Sequence, residues 1–80
     1  MRQVPFCEVS VGQRFRDREI PFNQEDDNHP VRKRSCERPE NFKTMYHSGQ
    51  VPWWNAIDVS GTAAGKSVSV YGERTMVWIE

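Results

Sequence analysis

Residues 67–79 read Ser-Val-Ser-Val-Tyr-Gly-Glu-Arg-Thr-Met-Val-Trp-Ile. Val68 and Val70 alternate with polar residues, the pair Gly72-Glu73 has the composition of a turn, and an apolar run begins at Met76. A period of two is typical of a half-buried strand, because successive side chains point to opposite faces of a sheet. This stretch therefore predicts a C-terminal β-hairpin and makes a β-rich fold the leading expectation.

Two segments before this hairpin also have strand character. Residues 51–59 are apolar and aromatic, and residues 31–35 continue as a shorter strand. Between them, Phe42, Met45 and Tyr46 have a spacing that fits a single helical turn as well as a strand. The local sequence does not decide between the two.

The N-terminal part predicts two more strands and a third that Pro21 weakens, because proline cannot donate to a sheet. Val9 and Val11 alternate with polar residues and predict a first strand that ends at Gly12. Residues 13–16 and 19–22 predict a hairpin, because a polar two-residue turn separates them.

The pattern as a whole defines a fold class. Residues 23–30 are polar apart from one proline and predict an exposed loop. Five or six short strands, with no helix longer than about two turns, predict a mainly β fold. We expect a small closed barrel or rolled antiparallel sheet with at most one short helical turn. A chain of 80 residues forms one domain, so residues 1–80 are a single small β domain and two-domain enzymes are excluded.

The charges balance in number but not in position. Eleven Lys and Arg residues match eleven Asp and Glu residues. The chain therefore has no overall field of the kind that drives non-specific binding to nucleic acid or anionic membranes. An acidic run at residues 25–27 is followed by a basic run at residues 32–34, with Arg38 nearby.

The sequence predicts a cytoplasmic protein with no membrane partner. It contains no run of about 18–20 apolar residues. Its two cysteines, Cys7 and Cys36, are fewer than small secreted scaffolds usually carry, so we expect reduced thiols.

Residues 60–67, Ser-Gly-Thr-Ala-Ala-Gly-Lys-Ser, end like a phosphate-binding loop. The full pattern requires glycine where Ser60 stands, and a helix after Lys66 whose N-terminus faces the phosphates. Residues 67–71 instead alternate like a strand. We therefore expect a flexible hairpin loop and not nucleotide hydrolysis.

Metal and catalytic sites have weaker support. Cys7, His29, Cys36 and His47 are of the types that bind zinc, but they lack the close pairs usual in structural zinc sites. A zinc-stabilised domain stays an alternative, and no other cofactor is expected. Nucleophilic catalysis would need Cys36, His47 and Asp58 together, and nothing in the sequence brings them together. We expect a protein that is not an enzyme.

Basic and aromatic residues form the strongest candidate for a binding surface. Cations beside exposed aromatic rings are typical of surfaces that bind single-stranded nucleic acid, and of protein interfaces. The balanced net charge favours a protein partner, with nucleic acid left open. The predicted partner-binding residues are Arg32, Lys33, Arg34, Arg38, Trp53 and Trp54.

A series of landmarks in residues 5–58 resembles a group of short proteins of bacteriophages and other mobile elements. The matching residues are Phe6, Val11-Gly12-Gln13-Arg14-Phe15, Lys33-Arg34-Ser35, Asn41 and Ser48-Gly49. The resemblance implies a small SH3-like barrel in which Val11 and Phe15 enter the core, Gly12 bends the chain between them and Gly49 turns a hairpin.

The resemblance also implies a function. Small phage proteins of this kind often block or redirect a host machine, such as a CRISPR nuclease complex. We therefore expect a non-catalytic binding module in the cytoplasm of a bacterial host, with a host protein or nucleoprotein complex as partner. The alternatives are a sequence-tolerant nucleic-acid-binding barrel and a zinc-stabilised domain. The sequence does not predict an oligomeric state.

Overall fold

The structure is a computed structural model that describes residues 1–35 and 54–80. These ranges contain six short strands and one 3-10 turn, which confirms the mainly β prediction. In chain order the elements are β1 (Arg2–Pro5), the 3-10 turn (Phe6–Glu8), β2 (Arg14–Arg16), β3 (Arg32–Arg34), β4 (Ala56–Asp58), β5 (Val68–Ser69) and β6 (Met76–Ile79).

All six strands belong to one antiparallel sheet in the order β1-β6-β2-β3-β4-β5. The last strand in the chain, β6, lies between β1 and β2. Val4 of β1 is opposite Val77 of β6, and Phe15 of β2 is opposite Ile79. Among the described strands, the two edges of the sheet are therefore β1 and β5.

The sheet is rolled so that its two edges meet. Phe6 directly follows β1 and Tyr71 lies two residues after β5, at opposite edges of the sheet. In a flat six-stranded sheet these edges would be about 24 Å apart, because neighbouring strands are about 4.8 Å apart. The Phe6 and Tyr71 rings instead stack with centroids 5.4 Å apart. This contact confirms a small rolled antiparallel sheet.

Aromatic rings fill the inside of the roll. Phe15 makes edge-to-face contacts with both Phe6 and Tyr71, at centroid distances of 5.3 and 5.1 Å. Each such pair adds about 0.5–1.5 kcal/mol to the free energy of burial. The buried hydrophobic cluster consists of Val4, Phe6, Val9, Phe15, Ala56, Val77 and Ile79, with Tyr71 packed against it.

The predicted first strand around Val9 and Val11 is wrong. The strand lies earlier, at β1, and the chain then makes the 3-10 turn. Because a 3-10 helix has three residues per turn, Val9 comes to lie below Phe6 in the core. Val11 is 72% exposed, so the expectation that it enters the core is also wrong, whereas Phe15 is fully buried as expected. Gly12 bends the chain as expected, with a φ of 90° that favours glycine.

The predicted hairpin of residues 13–16 with residues 19–22 does not form. β2 lies in the first of these segments, but it pairs with β3 and β6. Residues 17–31 form a loop, which we call the arginine loop because its backbone carbonyls bind Arg16. In the segment of residues 19–22, the backbone carbonyl of Pro21 binds the side chain of Arg16 and does not pair with a neighbouring strand.

The predicted C-terminal hairpin does not form, because its two strands pair with other strands. β5 pairs with β4, whereas β6 pairs with β1 and β2. The backbone carbonyls of Glu73 and Thr75 accept hydrogen bonds from the N–H groups of Cys7 and Phe6, so the predicted turn joins the two edges of the rolled sheet.

Two loop predictions and two strand predictions are confirmed. Residues 23–30 lie in the arginine loop, and residues 60–67 connect β4 to β5 as a hairpin loop. β3 falls within the strand predicted at residues 31–35, and β4 falls within the strand predicted at residues 51–59. The helical turn considered at residues 42–46 and the turn at Gly49 lie outside the described residues.

Candidate binding surface on the outer face of the sheet

The three basic residues of β3 do not share one face. Arg32 and Arg34 point into the roll, where they contact the rings of Tyr71 and Phe6. Lys33 points to the opposite surface, which we call the outer face, because successive side chains of a strand alternate. Strand geometry therefore divides the predicted basic patch between the interior and the surface.

Arg32 is the centre of a polar network inside the roll. Its Nε donates to Asp58 Oδ1 at 3.0 Å, and its Nη1 donates to Asp17 Oδ2 at 2.9 Å and to the Tyr71 hydroxyl at 2.7 Å. Asp17 also lies 3.3 Å from Nδ1 of His29 in the arginine loop. The network links β3 and β4 to the arginine loop and to the segment after β5.

Burial shifts the ionisation of this network. Burial raises the pKa of Tyr71 to about 12, and the nearby Arg32 charge only partly opposes that shift. Burial also raises the pKa of Asp58, again with Arg32 acting in the opposite direction. For Arg32 itself, burial lowers the pKa, but Tyr71, Asp58 and Asp17 together outweigh burial and raise it. Arg32 therefore stays charged, and Tyr71 stays protonated at neutral pH.

Arg34 is tied to the chain around the 3-10 turn. Its Nη1 donates to the carbonyl of Val9 at 2.6 Å, and its guanidinium lies 4.9 Å from the centroid of the Phe6 ring. Arg32 and Arg34 thus stabilise the fold through buried contacts, and a direct contact of either with a partner stays a prediction. Arg38 and Trp53 lie outside the described residues, and Trp54 is half-buried.

On the outer face, Lys33 lies in a row that crosses the sheet. It is directly opposite Arg14 of β2 and Ile57 of β4. Arg14 forms an ion pair with Glu80, whereas Lys33 forms no ion pair within the part of the chain that the structure describes. Two like charges on facing positions of neighbouring strands destabilise a sheet, so this arrangement favours an anionic partner.

A groove adjoins this row of charges. It has a volume of about 380 Å³ and is lined by Met1, Pro21, Phe22, Asn23 and Glu80. We call it the Phe22 groove. The guanidinium of Arg14 lies 5.7 Å from the centroid of the Phe22 ring, so the groove and the basic row share one surface.

Arg16 holds the wall of the groove in place. Its side chain is fully buried, and its Nε donates to the carbonyl of His29 at 3.1 Å. Its Nη1 donates to the carbonyl of Gln24 at 2.8 Å and to that of Pro21, which lines the groove. Within residues 1–35 and 54–80, the buried Nη2 has no hydrogen-bond partner. Because two nitrogens of one rigid guanidinium bind three carbonyls, the arginine loop is fixed against the sheet.

The glycine-rich loop binds a carboxylate of its own chain. The backbone N–H of Thr62 donates to Asp27 Oδ1 at 3.3 Å, and a Cβ added to Gly61 would lie 2.8 Å from that oxygen. Strand β5 follows the loop, as the sequence predicts. The loop therefore packs against the acidic part of the arginine loop.

The metal and catalytic sets lie partly outside the described residues. Cys7 is exposed and forms no disulfide within the described residues, and His29 contacts Asp17. Cys36 and His47 belong to residues 36–53, which the structure does not describe. Residues 1–35 and 54–80 contain no group of three or more metal-binding side chains. The zinc alternative stays a prediction.

Sequence reasoning missed Arg14 and Phe22 as surface residues. The signal for Arg14 was the alternation Arg14-Phe15-Arg16, which places both arginines on the face opposite the buried Phe15. Alternation gives no signal for Phe22, because the position of Phe22 depends on the hydrogen bonds between Arg16 and backbone carbonyls of the arginine loop.

Comparison of the chain with known protein families, curated proteins and solved structures gives no match. Among residues 1–35 and 54–80, no helix has the length and apolar character needed to cross a membrane.

Proposed function

We propose that this protein is a non-catalytic binding module that contacts its partner through the outer face. The contact surface consists of Lys33, Arg14 and the Phe22 groove. The single observation that supports this proposal most directly is Lys33, a cation opposite another cation, with no ion pair among the described residues. A protein keeps such an arrangement at a cost in stability, and an anionic partner surface offsets that cost.

The hydrogen bonds of the acid–base side chains inside the roll support a binding role. Asp17, Asp58 and Tyr71 are the described side chains with acid–base chemistry inside the roll, and all three bind Arg32. Their hydrogen bonds hold strands together. Because these side chains are bonded to Arg32 inside the roll, we assign partner recognition to the outer face.

The proposed partner is a macromolecule of a bacterial host, with a protein favoured over nucleic acid. The resemblance to SH3-like accessory proteins of bacteriophages supports this part of the proposal, together with the balanced net charge. In this proposal the protein acts in the host cytoplasm, where it inhibits or redirects a host machine such as a nuclease complex.

The test is affinity capture from bacterial lysate with three forms of the tagged protein: wild type, Lys33→Glu and Lys66→Glu. Lys66 is an exposed lysine in the glycine-rich loop, so its variant has the same change in charge at another place. We expect one discrete protein to be retained by wild type and Lys66→Glu after nuclease treatment and lost with Lys33→Glu. Equal retention by all three forms would exclude the outer face as the contact surface.

Nucleic acid is the second outcome of the same experiment. Recovery that disappears after nuclease treatment, with an affinity that falls steeply as salt rises, would replace the protein partner by a nucleic acid.

A further inference from the structure

We propose that the outer face binds a peptide segment in the polyproline II conformation, with an apolar side chain and a carboxylate three residues away from it. This inference rests on the proposed function and names the chemistry of the partner. The apolar side chain occupies the Phe22 groove, and the carboxylate pairs with Lys33.

The Phe22 groove has the composition of an anchor site. Met1, Pro21 and Phe22 give it apolar walls, and Asn23 and Glu80 supply polar groups at its side. Its volume of about 380 Å³ lies at the lower end of the range for ligand sites, which is about 300–1,000 Å³. A groove of this size accepts one large apolar side chain and its neighbouring backbone, and not a folded domain.

The wall of the groove exists before any partner binds. The carbonyl oxygen of Pro21, which lines the groove, accepts a hydrogen bond from the guanidinium of fully buried Arg16. The Phe22 ring next to it lies beside the Arg14 guanidinium. A preformed wall lowers the entropy cost of binding a flexible peptide.

The sheet fixes the distance between the two parts of the surface. Glu80 directly follows β6, and Lys33 belongs to β3, with β2 between these strands. Two strand spacings of about 4.8 Å place the Glu80 side of the groove about 10 Å from Lys33. A polyproline II peptide has three residues per turn and advances about 3.1 Å per residue, so side chains three residues apart share a face and are about 9 Å apart. A peptide that crosses the strands therefore presents its two contacts at positions i and i+3.

The charges select a carboxylate at Lys33 and disfavour nucleic acid. Arg14 is already paired with Glu80, which leaves Lys33 as the cation for an incoming anion. Glu80 also lines the groove, so it repels a phosphate chain that would follow the surface. Stacking sites for nucleic acid combine several aromatic rings with a continuous basic track, whereas this groove is lined by a single ring, Phe22.

The test begins with selection from a random peptide library displayed on phage, with the full chain immobilised. We expect enriched peptides that contain an aliphatic or aromatic residue and an Asp or Glu three positions away. A synthetic peptide of the enriched sequence should bind the Lys33→Glu variant at least tenfold more weakly than it binds wild type or Lys66→Glu. Exchange of the peptide's acidic residue for Lys should restore binding to Lys33→Glu.

This charge exchange keeps the test valid if one variant is unstable. Recovery of binding by the exchanged pair requires a folded Lys33→Glu protein and a direct contact. The inference is overturned if no peptide is enriched, if enriched peptides lack the acidic residue, or if the exchanged pair fails to bind. If lysate capture depends on Lys33 while peptide selection fails, the proposed function stands and this inference does not. If neither experiment depends on Lys33, both proposals fail.

Discussion

Replacement of Arg16 by alanine tests the role of the arginine loop most directly. Arg16 is fully buried and donates to the carbonyls of Pro21, Gln24 and His29. Arg16→Ala removes all three hydrogen bonds. The loop then loses its attachment to the sheet, although its own short-range bonds, such as Gln24 N–H to the Pro21 carbonyl, stay available.

The expected loss follows from two opposing contributions. A hydrogen bond from a charged donor stabilises a fold by about 1.5–3 kcal/mol, so three of them contribute about 5–9 kcal/mol. The burial of a guanidinium without a carboxylate costs several kcal/mol, and the variant recovers this cost. We therefore expect the free energy of unfolding to fall by about 2–4 kcal/mol. For a domain of this size that is a decrease in Tm of about 10–25 °C.

The assay is urea unfolding of Arg16→Ala and of the matched variant Arg14→Ala. Arg14 is exposed and its ion pair with Glu80 is on the surface, so its loss should cost less than about 1 kcal/mol. Hydrogen exchange of the Gln24 and His29 amides should accelerate in Arg16→Ala and not in Arg14→Ala. If Arg16→Ala were as stable as Arg14→Ala, the idea that this guanidinium holds the loop would be refuted.

Three further predictions concern single positions. Gly61→Ala should destabilise the fold by about 2–3 kcal/mol in thermal unfolding, because φ is +79° and the new Cβ would meet Asp27. Gly65→Ala has a φ of +75° but open space around the new Cβ, so it should cost only about 1 kcal/mol. Equal losses would contradict the close contact at Gly61. Val11 is 72% exposed, so Val11→Ser should change the free energy of unfolding in urea by less than about 0.5 kcal/mol. Val9 is 1% exposed, so Val9→Ala should lower it by about 1–3 kcal/mol. The reverse order would place Val11 in the core. The pKa of Tyr71 rises from 10.0 to about 12 in the folded protein, so stability present below pH 10 should be lost as pH rises through about 12; a Tyr71→Phe variant with the same pH dependence of unfolding would show that another group causes it.

The sequence predicts the local features of this fold well. The hairpin loop at residues 60–67 follows from glycines between an apolar, aromatic segment and an alternating one, and β3 follows from a short segment that begins directly after Pro30. Both depend on residues that are near one another in the chain. Turn composition and alternation are local properties, so a single sequence reports them reliably.

Strand pairing was predicted less well, because it depends on distant residues. β5 and β6 are neighbours in the chain, and their composition fits a hairpin, yet the rolled sheet pairs them with other strands. The deciding contact is the stacking of Phe6 on Tyr71, which brings the two edges together. No short window of sequence contains both rings.

The candidate site was predicted in part for the same reason. Lys33 was found from the basic run, and alternation explains why it is on the surface. Arg32 belongs to the same run but points inward, because Asp58 and Tyr71, both far along the chain, supply its buried partners. A basic run therefore indicates a charged surface only where its residues form no buried ion pair with a carboxylate far along the chain.

The central place of β6 also determines when this protein can fold during its synthesis. The pairing of Val4 with Val77 closes almost the whole chain into one loop, and β1 pairs with no other strand among the described residues. A ribosome-bound chain that has not yet released Met76–Ile79 leaves β1 and one side of β2 without their neighbour. Closure of so long a loop places the protein among the slower small folders, on the scale of milliseconds to seconds. We expect folding to wait until Met76–Ile79 has left the ribosome, and then to proceed in a single cooperative step in which β6 enters between two earlier strands.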